Sequence, residues 1–201
     1  MPTIYDLKPA FQNRLRPLTA RLAAAGVTAN QVTLAALLLS LVTGAAVACS
    51  GGARWALALV PGVLFVRMAL NAIDGMLARE HDMKTPLGAM LNELGDVISD
   101  AALYAAFALV PGLSAPWVMA VVLLALLTEM TGVVAVQIGA SRRYDGPMGK
   151  SDRAFLFGAL ALAGALGLPL AGWSDWLLGA VCALLVLTVF NRARAALAEL
   201  G

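Results

Sequence analysis

Three features of this sequence predict an all-α membrane protein of six transmembrane helices preceded by an interfacial amphipathic helix. Hydrophobic residues make up 61% of the chain and charged residues only 13%, where a soluble domain carries about a quarter charged residues. The apolar residues gather into runs long enough to cross a bilayer as helices, which takes roughly 20 residues each. The cations fall between those runs, almost all on one side of the membrane they imply.

The elements follow in order. Residues 1–26 form the interfacial segment. Within it, Phe11, Leu15, Leu18 and Leu22 recur at helical spacing over residues 9–24 and Arg14, Arg16 and Arg21 fill the flanks, before Gly26 breaks the helix. The remainder, 27–201, reads as one membrane domain with spans near 31–50, 55–79, 88–110, 116–140, 154–172 and 174–192. The second and third spans are interrupted by polar residues. Cys49 and Cys182 both lie in apolar runs, without the spacing of a metal site or disulfide framework, and are expected to be buried and inert.

Cation placement orients the bundle. Lys8, Arg14, Arg16 and Arg21 precede the first span, Arg79 and Lys84 join the second to the third, and Arg142, Arg143, Lys150 and Arg153 join the fourth to the fifth. Arg192 and Arg194 follow the sixth. Only Arg54 falls on the other side, and Arg67 lies within a span. The positive-inside rule then puts both termini in the cytoplasm. Trp55, Trp117, Trp173 and Trp176 sit in or beside the opposite connections, as an interfacial belt requires. Because the cations divide among separate segments, the sequence shows no nucleic-acid-binding stripe.

The chemistry is concentrated in residues 71–96. Asn71, Asp74 and Ala78 share a face near the cytoplasmic end of the second span, and Gly88, Asn92 and Asp96 follow at steps of four at the start of the third. Two helices thus offer oxygen ligands to one cavity. Carboxylates inside a membrane mark function, and oxygen-only ligands suit a hard cation such as Mg²⁺ or Mn²⁺.

At these residues the chain resembles the CDP-alcohol phosphotransferase (CDP-alcohol phosphatidyltransferase) family, as a divergent member. The family pattern is D-x2-D-G-x2-A-R-x8-G-x3-D-x3-D. Asp74, Gly75, Ala78, Arg79, Gly88 and Asp96 match it, and Asn71 and Asn92 replace its first and third aspartates. The resemblance implies a transferase of phospholipid synthesis in a bacterial inner membrane, with its active site facing the cytoplasm. The phosphoalcohol part of a CDP-linked lipid, usually CDP-diacylglycerol, passes to a small alcohol acceptor with release of CMP. It also implies that Asn71, Asp74, Asn92 and Asp96 hold Mg²⁺ or Mn²⁺ and that Asp96 is the catalytic base. Gly75, Ala78, Arg79 and Gly88 form the nucleotide site, and the working unit is a homodimer. Arg142, Arg143, Lys150 and Arg153 fit an anionic acceptor, positive-inside bias being the bland alternative.

The two asparagines leave several outcomes open. Glu93 or Asp100 can restore the lost charge, one metal can bind more weakly, or catalysis can be lost, leaving a silent nucleotide- or lipid-binding partner subunit. A transporter is a weaker reading, since the polar residues cluster at one end of the spans. Depth along the helices also places Arg67, Asp100 and Glu129 near one level, which predicts an Arg67–Asp100 pair with Glu129 close by.

Overall fold

The structure, a computed structural model, describes residues 4–201, with side chains from Pro9 onward. Residues 1–3 of the expected interfacial segment and the Lys8 side chain lie outside the described residues. Among the described residues the regular structure is all helical: α1 (Ile4–Ala24), α2 (Ala29–Cys49), α3 (Arg54–Glu80), α4 (Pro86–Ala105), α5 (Ala115–Gln137), α6 (Lys150–Ala165) and α7 (Trp173–Leu200), with a 3-10 turn at Ala106–Leu109.

Four helices, α2, α3, α5 and α7, are long and apolar enough to cross a membrane. The other two expected spans are weaker, for identifiable reasons. α4 carries Asn92, Glu93, Asp96 and Asp100 and passes into the 3-10 turn. α6 has 16 residues, about 24 Å of helix, and stops at Ala165 where the sequence suggested 172. Gly167 ends it at φ +77°. The Gly167 N–H bonds the Gly164 carbonyl and the Leu168 N–H bonds the Ala163 carbonyl, both at 3.0 Å, a Schellman closure that Pro169 makes final.

The chain folds as two compact units, Met1–Val42 with Gly62–Ser99, and Thr43–Pro61 with Asp100–Gly201. In the first, Thr28 and Gln31 form a capping box that starts α2: the Gln31 side chain accepts from the Thr28 N–H at 2.9 Å, and the Thr28 hydroxyl accepts from the Gln31 N–H at 3.3 Å. Thr85 caps α4 by accepting from the Gly88 N–H at 2.9 Å, with Pro86 at the first helical position. Ala29, Val32, Ile73, Met76 and Leu77 make the core, and Leu15 and Leu22 of α1 pack against it. The Phe11 ring meets Phe65 edge-on at 6.1 Å. Arg16 grips Glu80 through two hydrogen bonds of 2.9 and 3.1 Å. Much of the apolar face of α1 therefore covers protein.

In the second unit Phe157 stacks on Tyr104 at 4.1 Å and meets Phe107 at 5.0 Å, and α5 packs along α7. Cys182 is buried as expected, but Cys49 is exposed, because its side of α2 turns outward. Leu38, Leu59, Leu123, Leu187 and Phe190 are also exposed on the long helices. Lipid tails are as apolar as leucine, so this outer surface carries no penalty in a bilayer.

Candidate active site

The first unit brings together much of the motif. Along α3, Arg67, Asn71, Asp74 and Ala78 follow a single face. Asp74 is buried, and its Oδ2 lies 2.9 Å from the Thr33 hydroxyl of α2. Thr33 is itself buried and lies 3.1 Å from the Ala29 carbonyl, which competes for its one proton. Across on α4, Asp96 Oδ1 accepts from the Asn71 amide at 3.0 Å. The buried Arg67 guanidinium stands 3.7 Å from the same oxygen and donates to the Asp96 carbonyl at 3.3 Å. The Asp96 side chain keeps 29% of its surface exposed, enough to meet a reactant.

The small positions have defined neighbours. A Cβ added to Gly75 would stand 3.0 Å from Arg79 Nη2, so the guanidinium of the next turn lies over the glycine. A Cβ on Gly88 would stand 2.7 Å from Asn30 Oδ1 and 3.0 Å from Thr85 Oγ1. Glycine is what admits the first turn of α2 to the first turn of α4. Ala78 packs at the edge of the apolar core. Arg79 and Asn92 are exposed, and Glu93 is half-buried.

This geometry sits in a stretch matched by a known family model. The model for "CDP-alcohol phosphatidyltransferase" covers residues 26–190. The chain belongs to the CDP-alcohol phosphatidyltransferase family. It is 48% identical over 195 residues to the inner membrane protein YnbA of Escherichia coli (strain K12), covering 97% of this chain and 96% of that protein. Its fold is similar to crystal structures of Mycobacterium tuberculosis phosphatidylinositol phosphate synthase (PgsA1). With the form bound to CDP-DAG the TM-score is 0.68 at 20% identity, covering 91% of both chains. With the form in complex with manganese and citrate it is 0.74 at 19% identity, covering 92% of this chain and 90% of that one.

For a CDP-alcohol phosphatidyltransferase the donor set is sparse. Among the described residues no group of three or more His, Cys, Asp or Glu could hold a metal ion. Mg²⁺ is commonly held by one or two carboxylates together with substrate phosphates. Asp96, with the Asn71 amide against it, and buried Asp74 one turn along α3 from Asn71 offer two carboxylates, the number such a nucleotide-assisted cation takes. They do not make a protein-only cluster. Sequence reasoning missed Asn30, Thr33 and the use of Arg67 at Asp96. The polar residues of the first turn of α2 were the available signal.

The basic residues assigned to an anionic acceptor belong to the second unit, and the arginines among them face carboxylates there. Arg153 is fully buried. It donates to Asp100 Oδ2 at 3.1 Å, Glu129 Oε1 at 2.9 Å and Thr128 Oγ1 at 3.3 Å. Arg142 donates to Glu129 Oε2 at 3.1 Å and lies over the Tyr144 ring. Arg143 bonds Asp145 at 3.0 Å and Glu199 at 2.6 Å. Lys150 opens α6 and is half-buried. Arg192, read from sequence as a cation beyond the last span, is buried, 3.6 Å from Glu129 and bonded to the Thr128 carbonyl. Helix depth offered Arg67 as the partner for Asp100; the Arg153 bond to Asp100 was not foreseen from the sequence. Compensation for Glu129 comes from three guanidinium groups.

Proposed function

We propose that this chain transfers the phosphoalcohol part of a CDP-alcohol, with CDP-diacylglycerol as the favoured donor, to a small alcohol and releases CMP. The observation that carries the reading is the Asn71–Asp96 contact beside buried Asp74, in a chain of this family. Asp96 receives the proton of the acceptor hydroxyl as its oxygen forms a bond to the phosphorus next to the lipid. The bond from that phosphorus to the bridging oxygen breaks, and CMP leaves with the electron pair. Asp74 and Asp96 would hold the divalent cation, with the amide oxygens of Asn71 and Asn92 as weaker ligands. When bound, Mg²⁺ or Mn²⁺ neutralises charge developing on the diphosphate. Arg79, lying over Gly75, meets the nucleotide phosphates, and Gly88 keeps the helix ends closely packed.

The acceptor is left as a small alcohol, since Arg142, Arg143 and Arg153 already face carboxylates and an anionic acceptor would have to displace them. Six crossings with both termini in the cytoplasm fit the cation distribution and the four exposed tryptophans. On that topology α4 and α6 cross as well, and the site faces the cytoplasm of a bacterial inner membrane. The homodimer follows from the family resemblance.

The deciding experiment supplies purified protein in detergent with CDP-diacylglycerol, Mn²⁺ and a panel of alcohols, and measures CMP and lipid products by mass spectrometry. CMP appearing with a new phospholipid is the expected result. CDP binding without CMP release for any acceptor would favour the silent partner subunit.

Thr33 gives a finer check on Asp74. Hydrogen bonds to charged groups contribute about 1.5–3 kcal/mol, so Thr33→Val should weaken metal-dependent CDP binding by roughly tenfold or more. Unchanged affinity in a CDP titration would show that Asp74 is held without this hydroxyl.

A further inference from the structure

The geometry points to a single divalent cation at this site, with the Asn71 amide and the Arg67 guanidinium taking the electrostatic place of a second. The inference rests on the transferase reading and asks how that site is charged. Asp96 Oδ1 is approached by two positive groups, the Asn71 amide hydrogen at 3.0 Å and Arg67 Nη2 at 3.7 Å. A cation ligated by that oxygen would have to sit at about 2.0–2.1 Å from it, among an N–H and a guanidinium that cannot ligate. An aspartate at 71 would present a carboxylate to Asp96 across the same gap. Two carboxylates at that separation repel unless a cation or proton lies between them. The amide removes the repulsion, and with it the electrostatic reason for a cation at Oδ1, which leaves the single cation to Asp74 and the other Asp96 oxygen.

Arg67 adds to the effect because it is buried, with 4% of its surface exposed. Its charge is therefore screened far less than that of a surface arginine. A second divalent cation would lie beside this fixed charge, where Asn71 and Asn92 offer neutral amides instead of carboxylates to offset it. Asn71 and Asn92 thus fit a site matched to one cation, and Arg67 is the positioning residue that holds Asp96 in its place.

The test counts manganese. Mn²⁺ is titrated into the full-length protein in detergent with CDP present, followed by electron paramagnetic resonance and calorimetry. One Mn²⁺ per chain is expected, without the dipolar broadening of a close pair. Arg67→Gln should tighten that Mn²⁺ at least tenfold, and the pair Asn71→Asp with Asn92→Asp should admit a second ion. Two Mn²⁺ per native chain, or none, would overturn the inference, and so would an Arg67→Gln protein that binds Mn²⁺ no more tightly. The native count stands even if a variant fails to fold. Two ions with normal CMP release would sink this inference alone, whereas absent CDP binding and absent CMP release would sink the transferase reading beneath it.

Discussion

Asp96→Asn should lower CMP release by about 10²–10⁴-fold, the range that general-base catalysis supplies, while the protein stays folded. The asparagine is isosteric, so its carbonyl oxygen can still accept the Asn71 amide that now reaches Asp96 at 3.0 Å. What disappears is the basicity toward the acceptor hydroxyl and the negative charge 3.7 Å from Arg67. The check needs two readouts. CMP release should fall, and a thermal unfolding curve in detergent should keep its single transition. An Asp96→Asn protein that still releases CMP at the native rate would remove the role assigned to this carboxylate.

Arg153→Met should be among the most destabilising substitutions in the second unit. The side chain is fully buried and sits between Asp100 and Glu129 at 3.1 and 2.9 Å. Methionine preserves much of the volume but leaves two carboxylates facing each other with less compensation. Removing one partner of a buried ion pair typically costs about 3–5 kcal/mol. For a chain of this size that corresponds to a fall of roughly 6–20 °C in Tm. Arg194→Ala, at an exposed position two residues after buried Arg192, should change Tm by only a degree or two. Adding Asp100→Asn to Arg153→Met should recover part of the loss. If Arg153→Met melted with the native protein, the cluster would not hold the fold together.

This buried cluster also shows where linear reading failed. Arg142, Arg143, Lys150 and Arg153 occur within twelve residues of one connection, and as a sequence they look like one basic patch. The fold separates them. The start of α6 turns Arg153 inward, while Arg143 reaches the far end of α7 at Glu199. Arg192 looked like a juxtamembrane cation because it follows the apolar run, yet α7 continues to Leu200 and carries it against α5. No local pattern records that a carboxylate on another helix waits for a particular arginine.

The sequence by itself determined the helical class, the approximate place of the apolar helices, and the family. Those features depend on short-range chemistry, chiefly apolar run length and a glycine such as Gly26 that closes a helix end. The motif was legible for the same reason, since residues three, four and seven apart on a helix share a face wherever the helix lies. Tertiary structure alone decided which oxygen meets which donor. Thr33 reaches Asp74 across 41 residues and Arg153 reaches Asp100 across 53. Such contacts depend on how helices are packed, and a buried charge in an apolar solvent accepts whichever partner the packing delivers.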